Sequence, residues 1–370
     1  MVPLNDFQRQ WQDIRESALA AVDEVGRSGW YILGREVAAF EEALARYWQL
    51  PQAVGVASGL DAIEISLRAL GCGPGDKVLT TPISAFATTL AILKLGAVPV
   101  FADTDEFGLL DLNGCRKLLQ TRSDIRYLVP VHLYGHALDR GLLNGIVRDF
   151  HCRMVEDCAQ SIGASHSGLP TGTAGSLAAT SFYPTKNLGA LGDAGAIVGS
   201  DPELMRVIRA LRDYGQTAKY HHELVGYNSR LDELHAGILR RALLPRLPAR
   251  TARRREIAAR YLANIYNPAL RIPGAPSGSD SCWHLFPVFV ESGDKTDFRA
   301  WMDSRGIATG EHYPLSIPDQ PAMRNALHEL ASPIDTARRL CRTQVSLPLF
   351  PSLTNEEADR VIEACNAWKG

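Results

Sequence analysis

Short β-rich runs alternate with longer helical runs between about residues 50 and 200, and this alternation constrains the fold of the 370-residue chain most strongly. Strands that alternate with helices predict an α/β fold with a mainly parallel sheet and helices on both faces. One helical run, residues 61–70, carries Ile63, Leu67 and Leu70 on a single face, and a second spans residues 86–95. Seven strands are predicted, at residues 53–57, 77–81, 98–102, 127–132, 153–156, 179–183 and 195–199.

The C-terminal third has a different pattern, which predicts a second and smaller domain. A Pro- and Arg-rich stretch at 244–255 begins a long helix, and the Pro/Gly/Ser-rich stretch at 267–281 is typical of a loop. A strand at 284–290, a helix at 296–305 and a final helix from about Asn355 follow. We therefore expect a large domain at 1–245, with an N-terminal helical segment, and a small α+β domain at 246–370.

Charge and composition argue against several classes of partner. The chain has 39 Lys and Arg against 41 Asp and Glu, a net charge of -2, so no global field attracts nucleic acid or an anionic membrane. The arginine run at 246–255 has no interleaved aromatic residue, which favours a solvated helix face or a subunit contact over a nucleic-acid site. No apolar run has the length of a membrane span, and the N-terminus has no apolar signal region.

The cysteines argue against a metal site. The chain has seven scattered cysteines and no Cys-x-x-Cys, which indicates small buried thiols rather than zinc, iron–sulfur or disulfide frameworks. We therefore expect a cytoplasmic protein with no metal site and with neither nucleic acid nor membrane as a partner.

Candidate functional residues follow the predicted strands, because ligands of such sheets bind beyond the carboxyl ends of the strands. Residues 58–62 (Ser-Gly-Leu-Asp-Ala) follow a strand and open a helix, so their backbone N–H groups form a possible anion site, although such turns are common. Asp157, directly after the strand at 153–156, is either a buried carboxylate that needs a cationic or donor partner or a helix N-cap.

Two further features lie in or after predicted strands. Lys186 lies in the Pro/Gly-bounded loop 184–189 among apolar residues. If these residues shield its amino group from water, the pKa of Lys186 is lowered and the amine becomes nucleophilic. The alternative is an ordinary surface lysine. Ser181, five residues earlier, offers a hydroxyl to an anion. Phe86, after the strand at 77–81, is either a flat cover for an aromatic ring or part of the core.

Taken together, these features describe the needs of one cofactor, pyridoxal 5'-phosphate. That cofactor requires a lysine for its Schiff base, a carboxylate at its pyridine nitrogen, an anion pocket for its phosphate and, usually, an aromatic ring packed on its own. Asp157 precedes Lys186 by 29 residues (186 − 157), which leaves room for an excursion between neighbouring strands.

The sequence resembles the DegT/StrS-type sugar aminotransferases, which are pyridoxal-phosphate enzymes of fold type I. The resemblance covers nearly the whole chain, and it implies a large domain with a mainly parallel seven-stranded sheet plus a small α+β C-terminal domain. The matching segments are residues 28–34 with 40–41, 59–62, 156–160, 181–189, 192–193, 226–234, 312–314 and 346–351.

The resemblance also implies roles for individual residues at the cofactor. Lys186 would carry the cofactor and then move the proton during amino transfer, with pyridoxamine phosphate as the intermediate form. Asp157 would face the pyridine N–H. The other implied cofactor contacts are Gln160 at the ring hydroxyl, Phe86 stacked on the ring, Gly59, Leu60 and Ser181 at the phosphate, and Asn228 at the phosphate of the other subunit.

A homodimer with shared active sites is therefore expected, since Asn228 would act across the interface. The loop with Lys219, Tyr220 and His222 resembles a segment that approaches the sugar nucleotide across the same interface, and Tyr183 and Tyr313 would lie near the sugar. Most family members have Thr where Leu60 stands, so Leu60 would offer only its backbone N–H.

The implied substrates are L-glutamate, released as 2-oxoglutarate, and a nucleotide-linked keto sugar. Residues 59–62 and 220–223 are similar to the subgroup that aminates C3 of dTDP-3-keto-6-deoxyhexoses, with a C4 ketone as the alternative. A related sugar 3-dehydratase would carry His in place of Lys186. A non-catalytic cofactor-binding sensor would need a DNA-binding appendage, for which the roughly 30 residues before the enzyme domain leave no room.

Overall fold

A mixed α/β sheet forms the centre of the structure, a computed structural model that describes every residue from Met1 to Gly370. In chain order the strands are β1 (Gln52–Val56), β2 (Lys77–Thr80), β3 (Val98–Phe101), β4 (Ile125–Val129), β5 (Arg153–Asp157), β6 (Ser165–His166), β7 (Leu169–Pro170), β8 (Leu177–Ser181), β9 (Gly195–Gly199), β10 (Gln216–Ala218), β11 (His221–His222), β12 (Leu270–Arg271), β13 (Ser279–Asp280), β14 (Phe286–Val290), β15 (Glu329–Leu330) and β16 (Gln344–Leu347).

The central sheet has eight strands in the order β1-β9-β8-β5-β4-β2-β3-β15. The five neighbouring pairs from β8 to β15 are parallel, and β9 is antiparallel to both β1 and β8. All seven predicted strands are present, with ends that differ from the prediction by at most three residues. The eighth, β15, adds to the seven-stranded expectation: this two-residue strand comes from the C-terminal third and is too short to show a periodic pattern.

Helices cover the sheet and connect its strands. They are α1 (Phe7–Ser28), α2 (Arg35–Trp48), α3 (Gly59–Ala69), α4 (Phe86–Lys94), α5 (Leu112–Leu119), α6 (Arg140–Phe150), α7 (Pro202–Arg212), α8 (Glu233–Ile238), α9 (Leu247–Asn264), α10 (Lys295–Ser304), α11 (Asp335–Thr343) and α12 (Asn355–Ala367). Short 3-10 or π turns lie at Leu133–Gly135, Leu239–Leu243, Leu244–Arg246, Ile317–Asp319 and Pro321–Met323.

Helix α3 begins where the sequence predicts an anion-binding turn. The Ser58 side chain accepts a hydrogen bond from the backbone N–H of Asp61, which satisfies one of the free donors at the helix start. The predicted apolar face is confirmed, because Ile63, Leu67 and Leu70 are all buried. Strands β3 and β9 are buried along their whole length, as expected for strands that have helices on both faces. The carboxyl ends of β5 and β8 lie next to the start of α3, since Asp157, Ser181 and Gly59 line the same cavity.

A three-stranded sheet, β12-β14-β16, forms the centre of the C-terminal part. It packs with α9, α10 and α12 around one hydrophobic cluster, to which Val2 of the N-terminus also contributes. The prediction of a loop at 267–281 was wrong in part, since β12 and β13 lie within it and pair with β14 and β6. The domain division after residue 245 stays a prediction; α9 begins at Leu247, close to it.

Other predictions concern the surface and the thiols. All seven cysteines are buried and unbonded. Most arginines of the run pair with acids: Arg246 and Arg250, for example, both reach Asp13 of α1, at 3.5 and 2.7 Å. None of the helices combines the length and the apolar character needed to cross a membrane.

Candidate active site

A cavity of about 400 Å³ lies at the carboxyl ends of the central strands. Its lining includes Asp157 at the end of β5, Ser181 at the end of β8, and the turn that leads from β1 into α3. Residues of the C-terminal part, among them His312 and Tyr313, form another wall. The crevice therefore lies where parallel α/β sheets bind their ligands.

Lys186 enters this cavity from the loop after β8. The loop is a tight turn in which the Lys186 backbone N–H donates to the carbonyl of Tyr183 at 2.8 Å. Its amino group has no hydrogen-bond partner within the protein. Desolvation lowers the pKa of Lys186 to about 8, although the nearby Asp157 carboxylate acts in the opposite direction. Lys186 is therefore a desolvated amine and not the ordinary surface lysine of the alternative interpretation.

Asp157 is the buried carboxylate of the cavity, with 4% of its surface exposed. Thr88 Oγ1 donates to Asp157 Oδ2 at 2.8 Å, and the backbone N–H of Ala159 donates to Oδ1 at 3.0 Å. The alternative of a helix N-cap was wrong, because only turns follow Asp157 before β6. The carboxylate is instead held in one orientation, with a free lone pair on each oxygen available to a donor in the cavity.

The neighbouring Glu156 points away from the cavity and orders the surrounding loops. It accepts from His132 Nε2 at 2.9 Å and from the backbone N–H groups of Gly172, Ala174 and Gly175. Burial by itself would raise the pKa of Glu156, but these donors hold it below its ordinary value. Because the backbone of β5 carries both carboxylates, the fixed Glu156 also fixes the position of Asp157.

The start of α3 and the end of β8 form a narrow cradle that only glycine allows. A Cβ atom added to Gly59 would lie 2.6 Å from Cβ of Ser181. Ser58, Gly59, Leu60 and Ser181 all line the cavity there, at the N-terminus of an 11-residue helix. Backbone N–H groups and the helix dipole favour an anion such as a phosphate at this place.

Gln160 lies beside the cavity, and both the oxygen and the nitrogen of its side-chain amide form hydrogen bonds. Its Oε1 accepts from the backbone N–H of Tyr134 at 2.8 Å, and its Nε2 donates to the Tyr313 hydroxyl at 3.1 Å. Tyr313 lines the cavity, whereas Gln160 is not among the lining residues. A bond from Gln160 to a ring hydroxyl stays a prediction that would use the second hydrogen of Nε2.

Phe86 occupies the first position of α4 and packs against a cluster of Phe101, Ile317 and Met323. Its neighbours Ala85, Ala87 and Thr88 line the cavity, and Phe86 is not among the lining residues. The core packing of the alternative interpretation is thus present, and stacking on a cofactor ring stays a prediction.

The predicted substrate residues fall into two groups. Tyr183 lies at the cavity, half exposed, together with Tyr313. Lys219, Tyr220 and His222 instead lie on the exposed β10–β11 hairpin, and Tyr220 is 81% exposed. Asn228 is also exposed. Its backbone forms an isolated antiparallel β-bridge with Asp213, outside the cavity of its own chain. The hairpin residues and Asn228 therefore do not contact the cavity of their own chain, and their exposed side chains can contact another molecule.

Several lining residues were not identified from the sequence. Thr88 of α4 donates a hydrogen bond to Asp157. The two residues are 69 positions apart in the sequence, so no local pattern indicates this contact. Arg254, His284 and His312 come from the C-terminal part and line the wall formed there. Burial lowers the pKa of His312 to about 4, and Lys186 contributes to the lowering, so His312 is neutral. No set of three or more His, Cys, Asp or Glu side chains is arranged to hold a metal ion.

These residues meet the requirements of pyridoxal phosphate. The cavity brings together an amine with a lowered pKa, a fixed buried carboxylate and a glycine-dependent anion cradle, which are the three groups that the cofactor needs.

Comparison with known proteins gives the same result. The model of the DegT/DnrJ/EryC1/StrS aminotransferase family matches residues 12–366. The dTDP-3-amino-3,4,6-trideoxy-alpha-D-glucose transaminase of Streptomyces venezuelae is 40% identical over 99% of this chain and 96% of its own length. The dTDP-3-amino-3,6-dideoxy-alpha-D-galactopyranose transaminase of Aneurinibacillus thermoaerophilus is 38% identical over 100% and 99%.

A solved structure supports the same relationship. The crystal structure of S. venezuelae DesV in complex with a ketimine intermediate superposes with a TM-score of 0.94 over 99% of this chain and 98% of that one, at 40% identity. The chain therefore belongs to the DegT/DnrJ/EryC1/StrS family and is a pyridoxal-phosphate-dependent sugar aminotransferase of fold type I.

Proposed function

We propose that this enzyme transfers the amino group of L-glutamate to the C3 ketone of a dTDP-linked 6-deoxyhexose. The observation that carries the proposal is the desolvated Lys186 amine in one cavity with the fixed carboxylate of Asp157. The two relatives named above, both dTDP-3-amino sugar transaminases, support the nucleotide and the position of the ketone.

The cofactor would be held by residues of three elements. Gly59 and Leu60 would offer backbone N–H groups and Ser181 its hydroxyl to the phosphate, and Asp157 would accept a hydrogen bond from the pyridine nitrogen. When bound, pyridoxal phosphate supplies a carbonyl for the amino group and an electron-withdrawing ring that stabilises charge at the reacting carbon. Asp157 would keep the ring nitrogen protonated, and Thr88 and Ala159 hold Asp157 in place.

Lys186 performs the proton transfer. Since its pKa lies near 8, a substantial fraction of the free amine is neutral near pH 7 to 8 and can act as a base. Lys186 Nζ takes the proton from the α-carbon of glutamate and holds it within the cavity. In the second half of the reaction the same nitrogen removes and returns protons on the way to the amino sugar. A positioned base of this kind typically accelerates such a transfer by about 10²–10⁴-fold.

A second copy of the chain would complete the site. Asn228 and the β10–β11 hairpin are exposed in one chain, which supports a role in the cavity of a partner. In this arrangement Asn228 approaches the partner's cofactor phosphate, while Lys219, Tyr220 and His222 approach the nucleotide of the sugar. In this arrangement a single chain lacks a complete active site, so the reaction requires the homodimer.

A panel of nucleotide sugars tests the position of the ketone. The holoenzyme is incubated with L-glutamate and either 3-keto or 4-keto dTDP-6-deoxyhexoses, and the products are analysed by NMR. We expect amination at C3 with the 3-keto substrates. Amination of the 4-keto sugars alone would contradict the choice of C3 and identify the enzyme as a C4 aminotransferase.

A further inference from the structure

Arg254 differs from the other arginines of its run in having no acidic partner. Arg246 and Arg250 pair with Asp13, Arg253 pairs with Glu256 at 2.6 Å, and Arg255 pairs with Asp280 at 2.8 Å. Arg254, in contrast, is buried, with 4% of its surface exposed, and it lines the active-site cavity. The chain therefore places one uncompensated cation at the wall of the cavity.

The hydrogen bonds of Arg254 are confined to one of its nitrogens. Nη1 donates to the backbone carbonyls of Trp283 and His284, both at 3.2 Å, and to that of Leu349 at 2.7 Å. Nε is enclosed and has no partner. Nη2 also makes no hydrogen bond within the protein but, unlike Nε, is not enclosed, which leaves it free to meet a ligand in the cavity that Arg254 lines.

No group of this chain neutralises that charge. The two carboxylates that line the cavity belong to Asp157, which is bonded to Thr88 and Ala159, and to Asp193, and neither forms an ion pair with Arg254. The adjacent His284 gives its Nδ1 proton to Asn187 and is neutral, since burial lowers its pKa well below the ordinary value. Burial likewise lowers the pKa of Arg254, to about 10, so it keeps its charge at neutral pH.

A buried, unpaired cation is costly, and the cost is offset when an anion binds beside it. We propose that Arg254 is a substrate-binding residue whose free Nη2 binds a carboxylate of the amino donor, an inference that rests on the proposed function. One free nitrogen suits a single carboxylate oxygen, in a charge-assisted hydrogen bond. The diphosphate of a sugar nucleotide carries charge on several oxygens and would need several donors, so it fits this place less well.

The inference is tested with Arg254→Lys in the holoenzyme. A lysine keeps a cation and three donors for the carbonyls of residues 283, 284 and 349, but it removes Nη2. Arg250→Lys, one helical turn earlier and bonded to Asp13 outside the cavity, is the matched control. Binding of glutarate, an unreactive dicarboxylate, is measured by calorimetry, and the glutamate and amino-sugar half-reactions are followed separately by cofactor absorbance.

We expect the glutarate Kd of Arg254→Lys to rise at least about tenfold, with a matching rise in the glutamate concentration that half-saturates its half-reaction. The amino-sugar half-reaction, the melting temperature and the control variant should stay near wild type. Unchanged glutarate binding, an equal loss in both half-reactions, or a loss confined to the amino sugar would overturn the inference. Should the lysine variant unfold, Arg254→Gln is measured in the same way, since its amide can still donate to the carbonyls.

L-Norvaline, which has an α-carboxylate and no side-chain carboxylate, identifies the group that Arg254 binds. A loss with glutamate alone assigns Arg254 to the side-chain carboxylate, and a loss with both donors assigns it to the α-carboxylate. Failure of the proposed function has a different signature, because wild-type enzyme would then transfer no amino group from glutamate. Normal wild-type transfer with unchanged glutarate binding in Arg254→Lys contradicts this inference alone.

Discussion

Thr88 Oγ1 donates a 2.8 Å hydrogen bond to Oδ2 of Asp157, and both side chains are buried. The bond joins the first turn of α4 to the end of β5 and fixes the carboxylate that would face the cofactor. Ser84 Oγ lies 3.0 Å from the Thr88 hydroxyl and completes a short buried chain. The orientation of the Asp157 carboxylate thus depends on Thr88, a residue of a different element.

Thr88→Val is expected to weaken cofactor binding and to lower kcat, because a near-isosteric methyl group replaces the donor and leaves Asp157 held only by the backbone N–H of Ala159. Loss of a hydrogen bond to a charged group costs about 1.5–3 kcal/mol, so a roughly tenfold or larger change is expected. Thr88→Ser should restore both quantities, since it keeps the hydroxyl. Equal cofactor Kd values for the valine variant and wild type, measured by fluorescence titration, would argue against this positioning role.

Gly59→Ala is expected to abolish tight cofactor binding, because its Cβ would lie 2.6 Å from Cβ of Ser181. Overpacking of this kind costs about 1–3 kcal/mol, so the melting temperature should fall as well. The matched control is Gly26→Ala in α1, where an added Cβ meets nothing within 4 Å and where alanine favours the helix. Normal cofactor content in Gly59→Ala would mean that α3 can shift away from β8 without loss.

The cofactor-free enzyme should react with pyridoxal phosphate at a rate that rises with pH and levels off above about pH 8. The neutral amine is the nucleophile, and desolvation lowers the pKa of Lys186 to about 8 from the ordinary 10.5. The folded state therefore disfavours the charged amine, and Lys186 costs stability as pH falls from 10.5 towards 8. Reconstitution rates measured between pH 6 and 10.5 check the first statement; a rate still climbing at pH 10 would contradict it.

Mixed dimers test whether Asn228 serves the partner's site. Lys186→Ala and Asn228→Asp are each expected to be nearly inactive alone. Since random mixing makes half of the dimers hybrid, and each hybrid has one intact site, co-refolded chains should regain about a quarter of wild-type activity. No recovery from mixtures that are shown to contain hybrid dimers would place Asn228 in the site of its own chain.

The alternation of strands and helices predicted the central sheet, because buried parallel strands and amphipathic helices leave a strong local signal. Strand β15 escaped prediction since two residues carry no periodicity and the pairing with β3 depends on the whole chain. The Asp157 alternative, a helix N-cap, failed because the bond to Ala159 closes a turn that no helix follows.

The candidate site was only partly predictable, because local sequence patterns do not reveal contacts between elements that are distant along the chain. Asp157 ends strand β5 and Lys186 lies in the loop after β8, so their position relative to the sheet is set locally. Thr88 and Arg254 act through contacts between distant elements, and the sequence pattern of an arginine run does not reveal which member lacks an acid. For Phe86, the packing against Phe101 depends on the C-terminal residues that join that cluster.

The role of Lys186 is tested most directly by stopped-flow absorbance of the bound cofactor after addition of L-glutamate. The comparison uses wild type, Lys186→Ala and the surface control Lys117→Ala, with each folded state checked by circular dichroism. We expect wild type and the control to lose the absorbance of the lysine-bound cofactor and to regain it on addition of 2-oxoglutarate, while Lys186→Ala shows no turnover. A normal steady-state rate in Lys186→Ala would contradict the assignment of Lys186 as the residue that carries the cofactor and moves the proton.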